Sequence, residues 1–226
     1  MWCVATIDEA YLANMEDVLA TYERPLDAAE PVVCVDEKSI QLLGNINSTS
    51  RMARCGKPRR KDYEYKRKGM VNAFCAIEPK RGRHFIKITK NRKADQFAEM
   101  LRDIGRAYPS ASKIHLVMDN LSTHTEKSLV RHLGPKRGAN LWARFAVHYT
   151  PKHGSWLNQA EIEISMFSRE CLGKDRIGTR VTLTKRAAAW EQAMNAERRK
   201  IDWRFTRAKA RLKFNYSRAK SHAGRD

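Results

Sequence analysis

Two short apolar runs, "VVCV" at residues 32–35 and "IHLVM" at 114–118, each stop at an aspartate, Asp36 and Asp119. Runs of this length and composition read as buried strands. A carboxylate at the tip of a buried strand has two readings. It is a turn residue, because Asp and Asn end strands by bonding their own backbone, or it holds a cation. If the two strands are neighbours, bare carboxylates side by side repel until one takes a proton or a cation lies between them. The pair alone leaves both readings open.

The flanking sequence supplies the rest of a layered fold. Residues 9–22 carry Leu12, Met15, Leu19 and Tyr22 on one helical stripe, broken by the two prolines of "RPLDAAEP". After Asp36 the chain reads as a polar, basic loop through residue 68. "MVNAFCAI" and "HFIKIT" form an antiparallel hairpin around "EPKRGR". Residues 92–107, with Phe97, Leu101 and Ile104 at helical spacing, form a crossover helix. Thr123 and Glu126 have the spacing of a capping box, so a helix is expected there. "RFAVHYT" is a further strand, "PKHGSWLN" a loop and "QAEIEISMFSREC" a mostly buried helix. A last helix carries Ala187, Trp190 and Met194 on one face. A hairpin followed by alternating helices and strands predicts an α/β fold, a mixed sheet flanked by helices.

Charge narrows the partner. The chain has 44 Lys and Arg against 25 Asp and Glu, a formal +19. Residues 51–68 hold nine basic and two acidic side chains, and residues 198–220 hold ten and one. Such clusters suit a phosphate backbone, with a solvated basic face or a tail for an anionic membrane as the alternatives. Aromatics lie among them (Tyr63, Tyr65, Trp203, Phe205, Phe214, Tyr216), placed either to stack on bases or to anchor the segments to the core. No apolar run reaches membrane-spanning length, and the acidic start is unlike a secretory signal. Five scattered cysteines (Cys3, Cys34, Cys55, Cys75, Cys171) make no CxxC pair, which argues against a zinc site or a disulfide framework. Cys34 and Cys75 read as core residues.

A third acid to complete a cation site with Asp36 and Asp119 comes from Glu161 or Glu163. Two residues apart on a helix they point about 200° apart, so only one faces the site. Glu161 also stands three residues after Asn158, a capping-box-like pair, and spacing alone favours that helix-capping role.

The segments "VVCVDEKSIQLL", "DYEYKRKG", "LVMDNLSTHT" and "HYTPKHGSWLNQAEIEISMFSREC" closely resemble bacterial insertion-sequence transposases of the mariner-like group of DDE transposases and integrases. The tail "IDWRFTRAKARLK" is similar to that family's tail. The resemblance implies a ribonuclease-H-like fold over residues 31–200, after a helical lead-in at 1–30 and before a basic tail at 201–226. It implies an acidic triad of Asp36, Asp119 and Glu161 as catalytic and metal-binding residues, with Glu37 and Glu163 as neighbours. The cofactor implied is a pair of Mg2+ or Mn2+ ions. The chemistry implied is DNA strand cleavage followed by strand transfer.

Candidate DNA contacts on the same reading are Asn120, His124, Lys152 and His153, with Arg59, Arg60, Lys66, Arg67 and Lys68 in the first basic stretch. For His124 a phosphate contact and a place in a capped first turn are equal alternatives. Partners implied are duplex DNA (transposon ends and target) and a second copy of the chain, with no membrane, in the cytoplasm near the nucleoid. Family members carry N-terminal helix-turn-helix units, whereas "MWCVATIDEA" stands close to where a catalytic region would begin. A separately encoded part, or a truncated inactive DNA-binding remnant, follows as an expectation. A ribonuclease on the same fold is the other alternative.

Overall fold

The strand that begins at Val32 does not stop at Asp36. In the computed structural model, which describes residues 7–46 and 63–216, β1 runs Val32–Asn45 and pairs antiparallel with β2, Tyr65–Glu78. The expected loop after Asp36 is therefore strand for nine more residues, with a register irregularity between Gln41 and Leu43. The alternation that marks it, Ile40, Leu42 and Gly44 buried between more exposed neighbours, is masked in the sequence by polar residues at 36–39 and 41. β2 pairs with β3, Arg83–Thr89, as the expected hairpin.

On its other side β1 meets β4, Ile114–Met118, in parallel, and β4 meets β5, Phe145–Tyr149, also in parallel. The sheet order is β3-β2-β1-β4-β5, so the two aspartate-bearing strands are neighbours. Their pairing runs Val32 with His115 to Cys34 with Val117. Beyond that point β1 is paired only with β2.

Side chains alternate across the sheet as period two requires. Val33, Val35, Phe74, Ile114, Leu116 and Met118 point to one face. There they pack on α2 (Ala94–Ala107), through Phe97, Leu101 and Ile104, and on Leu129 of α3 (Glu126–Leu133). α4, Pro135–Trp142, packs on the same side. Gly138 lies where an added Cβ would stand 2.5 Å from the Val130 backbone, so α3 and α4 touch backbone to backbone.

The opposite face carries Ile40, Leu42, Ala73 and Cys75 against α5 (Ala160–Met166), the π-helical turn Phe167–Leu172, and Leu183, Ala187, Trp190 and Met194 of α6 (Arg180–Glu197). Cys34 and Val117 on that face meet Met15, Val18 and Leu19 of α1 (Glu9–Glu23) and Ala210 of α7 (Arg207–Phe214). Trp203, Phe205, Phe214 and Tyr216 pack on this cluster, so those aromatics anchor the basic segment. Cys34 and Cys75 are buried free thiols. The helix expected from Thr123 is capped instead at Thr125. No described helix is long and apolar enough to cross a membrane.

α6 also guards the sheet edge. Asn195 accepts from the His84 backbone N–H at 2.8 Å and donates to its carbonyl at 3.0 Å, occupying strand positions on β3 that would otherwise be open. The neighbouring turn depends on Gly82, at φ +66°, where a Cβ would lie 2.4 Å from the Arg198 backbone. Gly82→Ala would combine left-handed strain, about 1–2 kcal/mol, with an overlap costing about 1–3 kcal/mol. The expected outcome in thermal denaturation is a Tm lower by roughly 5–10 °C.

Candidate active site

Extending the parallel register of β1 and β4 by two residues sets Asp36 opposite Asp119. Asp36 is not at a strand end, as the sequence suggested. It stands where β4 stops and leaves the β1 edge open, which creates the same mouth that a strand tip would.

Asp36 is hemmed in from three sides. The Glu37 N–H donates to its Oδ1 at 2.8 Å. Asn158 Nδ2 donates to the Val35 carbonyl at 2.9 Å and stands 3.4 Å from Asp36 Oδ2. Burial, together with the charges of Glu161, Glu37 and Asp119, raises the Asp36 carboxyl from its ordinary 3.8 to about 7. Glu161, Glu37 and Asp119 thus each lie within electrostatic reach of Asp36.

Asn158 was expected at most as a helix cap. Its Oδ1 does accept from Ala160 N at 3.1 Å, but the residue preceding α5 is Gln159, and Asn158 is buried with its amide on β1. Asn158 therefore fixes the start of α5, and with it Glu161, against the strand that carries Asp36. Spacing alone contains no sign of this tie.

Glu161 is exposed and Glu163 fully buried, as two residues pointing to opposite sides of one helix must be. Glu163 places both carboxylate oxygens 2.9 Å from His84 Nδ1, and His84 Nε2 donates to the Arg199 carbonyl at 3.0 Å. Burial raises the Glu163 carboxyl above its ordinary range, against the pull of His84.

His124 does not face solvent. It is 2% exposed and stacked on Phe97 at 4.3 Å between ring centres. Its Nδ1 lies 2.6 Å from Asp119 Oδ1 and its Nε2 3.6 Å from Glu37 Oε2. Burial disfavours the imidazolium, but Asp119 and then Glu37 outweigh it and hold the pKa above the ordinary value. Of the two places expected for it, against a phosphate or in a capped first turn, the structure shows the ring buried between α2 and two carboxylates, facing Asp119 and Glu37. Asn120, Lys152 and His153 are exposed beside the mouth, His153 with a left-handed φ of 62°. Lys66, Arg67 and Lys68 are exposed on the outer half of β2. Arg59 and Arg60 lie outside the described residues.

The donor set suits a hard divalent cation, which takes oxygen ligands and retains several waters. As placed, no three His, Cys, Asp or Glu among the described residues close around one point. Asp119 Oδ1 stands 2.6 Å from His124 Nδ1, whose hydrogen bond goes to the Asp119 backbone carbonyl, and Glu161 is exposed. Side-chain rotation of these two, both accessible, is what a bound cation would require, and the raised Asp36 carboxyl is the group that such a cation would ionise.

A family model for the DDE superfamily endonuclease matches residues 31–184. The chain belongs to this family. No curated protein sequence matches it. Among solved structures, the Mos1 mariner paired end complex with Mn superposes with a TM-score of 0.57 at 15% identity, covering 88% of this chain and 60% of that one. The Mos1 transposase paired-end complex with left transposon end gives 0.55 at 15%, over 85% and 58%. The Mos1 paired end complex with Mg gives 0.50 at 14%, over 85% and 58%. The DDE endonuclease chain thus spans about three-fifths of the length of these Mos1 chains. Its five-stranded mixed sheet with helices on both faces is the ribonuclease-H-like fold expected from the motifs.

Proposed function

We propose that this chain is the catalytic domain of a DNA transposase of the bacterial insertion-sequence kind, cutting DNA strands and joining them to new sites. The observation that carries the proposal is the register that aligns Asp36 with Asp119 on neighbouring parallel strands, with Glu161 presented by the helix that Asn158 pins to β1. The family match and the likeness to Mos1 complexes holding transposon ends, Mn or Mg support it.

Asp36, Asp119 and Glu161 would hold Mg2+ or Mn2+, two ions on the motif resemblance. A bound cation of this kind lowers the pKa of water or a hydroxyl and neutralises charge on the phosphate. The protein's own part is positional. Asn158 orients Asp36, and His124, braced by Phe97, orients Asp119. Water attacks one phosphodiester and releases a 3′-hydroxyl. That hydroxyl then attacks a second phosphodiester, exchanging one P–O bond for another with no need of ATP. Asn120, Lys152, His153, Lys66, Arg67 and Lys68 line the approach of the DNA. The working assembly is a homodimer on DNA, with end recognition supplied by a helix-turn-helix part.

The substrate class is tested by offering labelled duplex DNA and an RNA–DNA hybrid of equal sequence with Mg2+ or Mn2+. Cleavage of the DNA duplex supports the proposal. Cleavage confined to the RNA strand of the hybrid makes the protein a ribonuclease.

The Asp36 carboxyl also fixes a pH dependence. Between about 4 and about 7 the folded protein keeps a proton that the unfolded chain has released, so in cation-free buffer this group's contribution to stability falls as pH rises through that window. Relative to Asp36→Asn, the wild type should lose Tm from pH 5 to pH 7.5. Adding Mn2+ at pH 7.5 should restore it in the wild type and leave Asp36→Asn unmoved. Parallel pH profiles in both proteins would remove Asp36 as the titrating group.

A further inference from the structure

At the far end of the sheet from the carboxylates, α2, α3 and α4 enclose an open groove of about 860 Å³. Its lining holds Arg102, Arg106, His132, Arg137 and Arg144 and no acidic residue. The floor is tight: a Cβ on Gly105 would come within 2.8 Å of Leu141 Cδ1, so the Leu141 side chain of α4 reaches the α2 backbone beneath it.

The cations divide by task. Arg144 donates to the Gly105 carbonyl at 2.7 Å and the Tyr108 carbonyl at 2.5 Å. It thereby neutralises the negative end of α2, which would otherwise repel an anion. Arg102 and His132 both bond Glu99 at the groove's edge. Arg106 on α2 and Arg137 on α4 are exposed and have no ion-pair or hydrogen-bond partner among the described residues. Two guanidiniums without partners among the described residues thus line one groove, and the acid at its edge, Glu99, is already committed.

Guanidinium forks match phosphate oxygens in planar pairs. A DNA strand presents successive phosphates at about 3.4 Å of axis each, so two arginines lining one groove can each take one. A protein partner would need a buried aromatic or aliphatic anchor, and the apolar lining of the groove is an exposed Pro109 and the half-buried Leu133 and Leu141. Arg144 precedes the first residue of β5, whereas Asp119 follows the last residue of β4. The five residues of β4 therefore separate groove from carboxylates by roughly 16 Å.

We propose that the arginine groove between α2, α3 and α4 grips the phosphate backbone of duplex DNA at a place remote from the carboxylates. It rests on the reading of the chain as a DNA-acting enzyme, and adds a second contact that a strand-transferring enzyme has use for, since two DNA segments must be held.

The test is anisotropy titration of a 30-base-pair duplex with the full chain, from 50 to 200 mM salt in EDTA, so that cleavage does not enter. Arg106→Ala/Arg137→Ala is compared with Arg180→Ala/Lys185→Ala, two exposed cations of α6 whose loss changes net charge equally. The expected result is a salt slope shallower by about 2 and binding at least about tenfold weaker at 0.1 M salt in the groove variant alone. A second readout on wild type is protection of Arg106 and Arg137 from phenylglyoxal by the duplex. Equal losses in both variants, or an unchanged slope with no protection, would overturn the proposal, the latter outcome pointing to an acidic protein instead. Because binding is read without a cation, loss of strand joining elsewhere leaves this result intact.

Discussion

Asp119→Asn is expected to lower cation-dependent DNA cleavage by about a thousandfold or more, with the fold retained. A cation at the reacting phosphate contributes several kcal/mol to the transition state, and each 1.36 kcal/mol is a factor of about ten. On the proposed mechanism Asp119 would supply a ligand oxygen, and its carboxylate also lies against His124. The amide keeps the shape and about a third of the side chain is exposed, so Tm in EDTA should move little. Asp36→Asn and Glu161→Gln should fall by similar factors. Because residues that act as a unit lose activity together, any double variant should be scarcely worse than either single one. Cleavage rates on a labelled duplex, with circular dichroism as the fold control, check this. Multiplying losses would show that the three do not share one site.

The largest expected effect on stability lies at a residue that the motif resemblance leaves outside the triad. Glu163→Ala should destabilise the protein by about 3–5 kcal/mol, because it leaves His84 Nδ1, itself fully buried, without a partner. That corresponds to a Tm fall of roughly 10–15 °C. The His84–Glu163 pair ties α5 to β3, and through the Arg199 carbonyl to the segment after α6. Replacing both members, as in His84→Leu/Glu163→Met, should recover much of the loss, since an apolar pair of similar volume avoids burying charge. A double-mutant cycle in urea measures the coupling. A cost below about 1 kcal/mol for Glu163→Ala would mean that water reaches the pair.

Strands and helices with clear periodicity were legible in the sequence: the hairpin at 70–89, the crossover helix around Phe97 and the strand 114–118 all stand where spacing put them. The outer half of β1 was not legible. Beyond Cys34 it has no β4 neighbour and its polar residues fall on the open side. Asp36 was found by its place after an apolar run, although that run continues as strand. Glu161 was separated from Glu163 only by motif resemblance, because helical spacing says that one faces inward without saying which. Asn158 and His84 owe their places to contacts 122 and 79 residues away in sequence, with Asp36 and Glu163 respectively, and His124 to its burial on Phe97 and beside Glu37. No local pattern encodes such pairings.

The most direct test of the catalytic reading is strand joining on DNA with pre-cut 3′-hydroxyl ends, comparing wild type with Asp119→Asn in Mn2+ and in EDTA. Joined product from the wild type in Mn2+ alone, and from neither protein in EDTA nor from Asp119→Asn, is the predicted result. Joining that persists in EDTA or in Asp119→Asn, or no joining from a folded wild type that still binds the DNA, would contradict it.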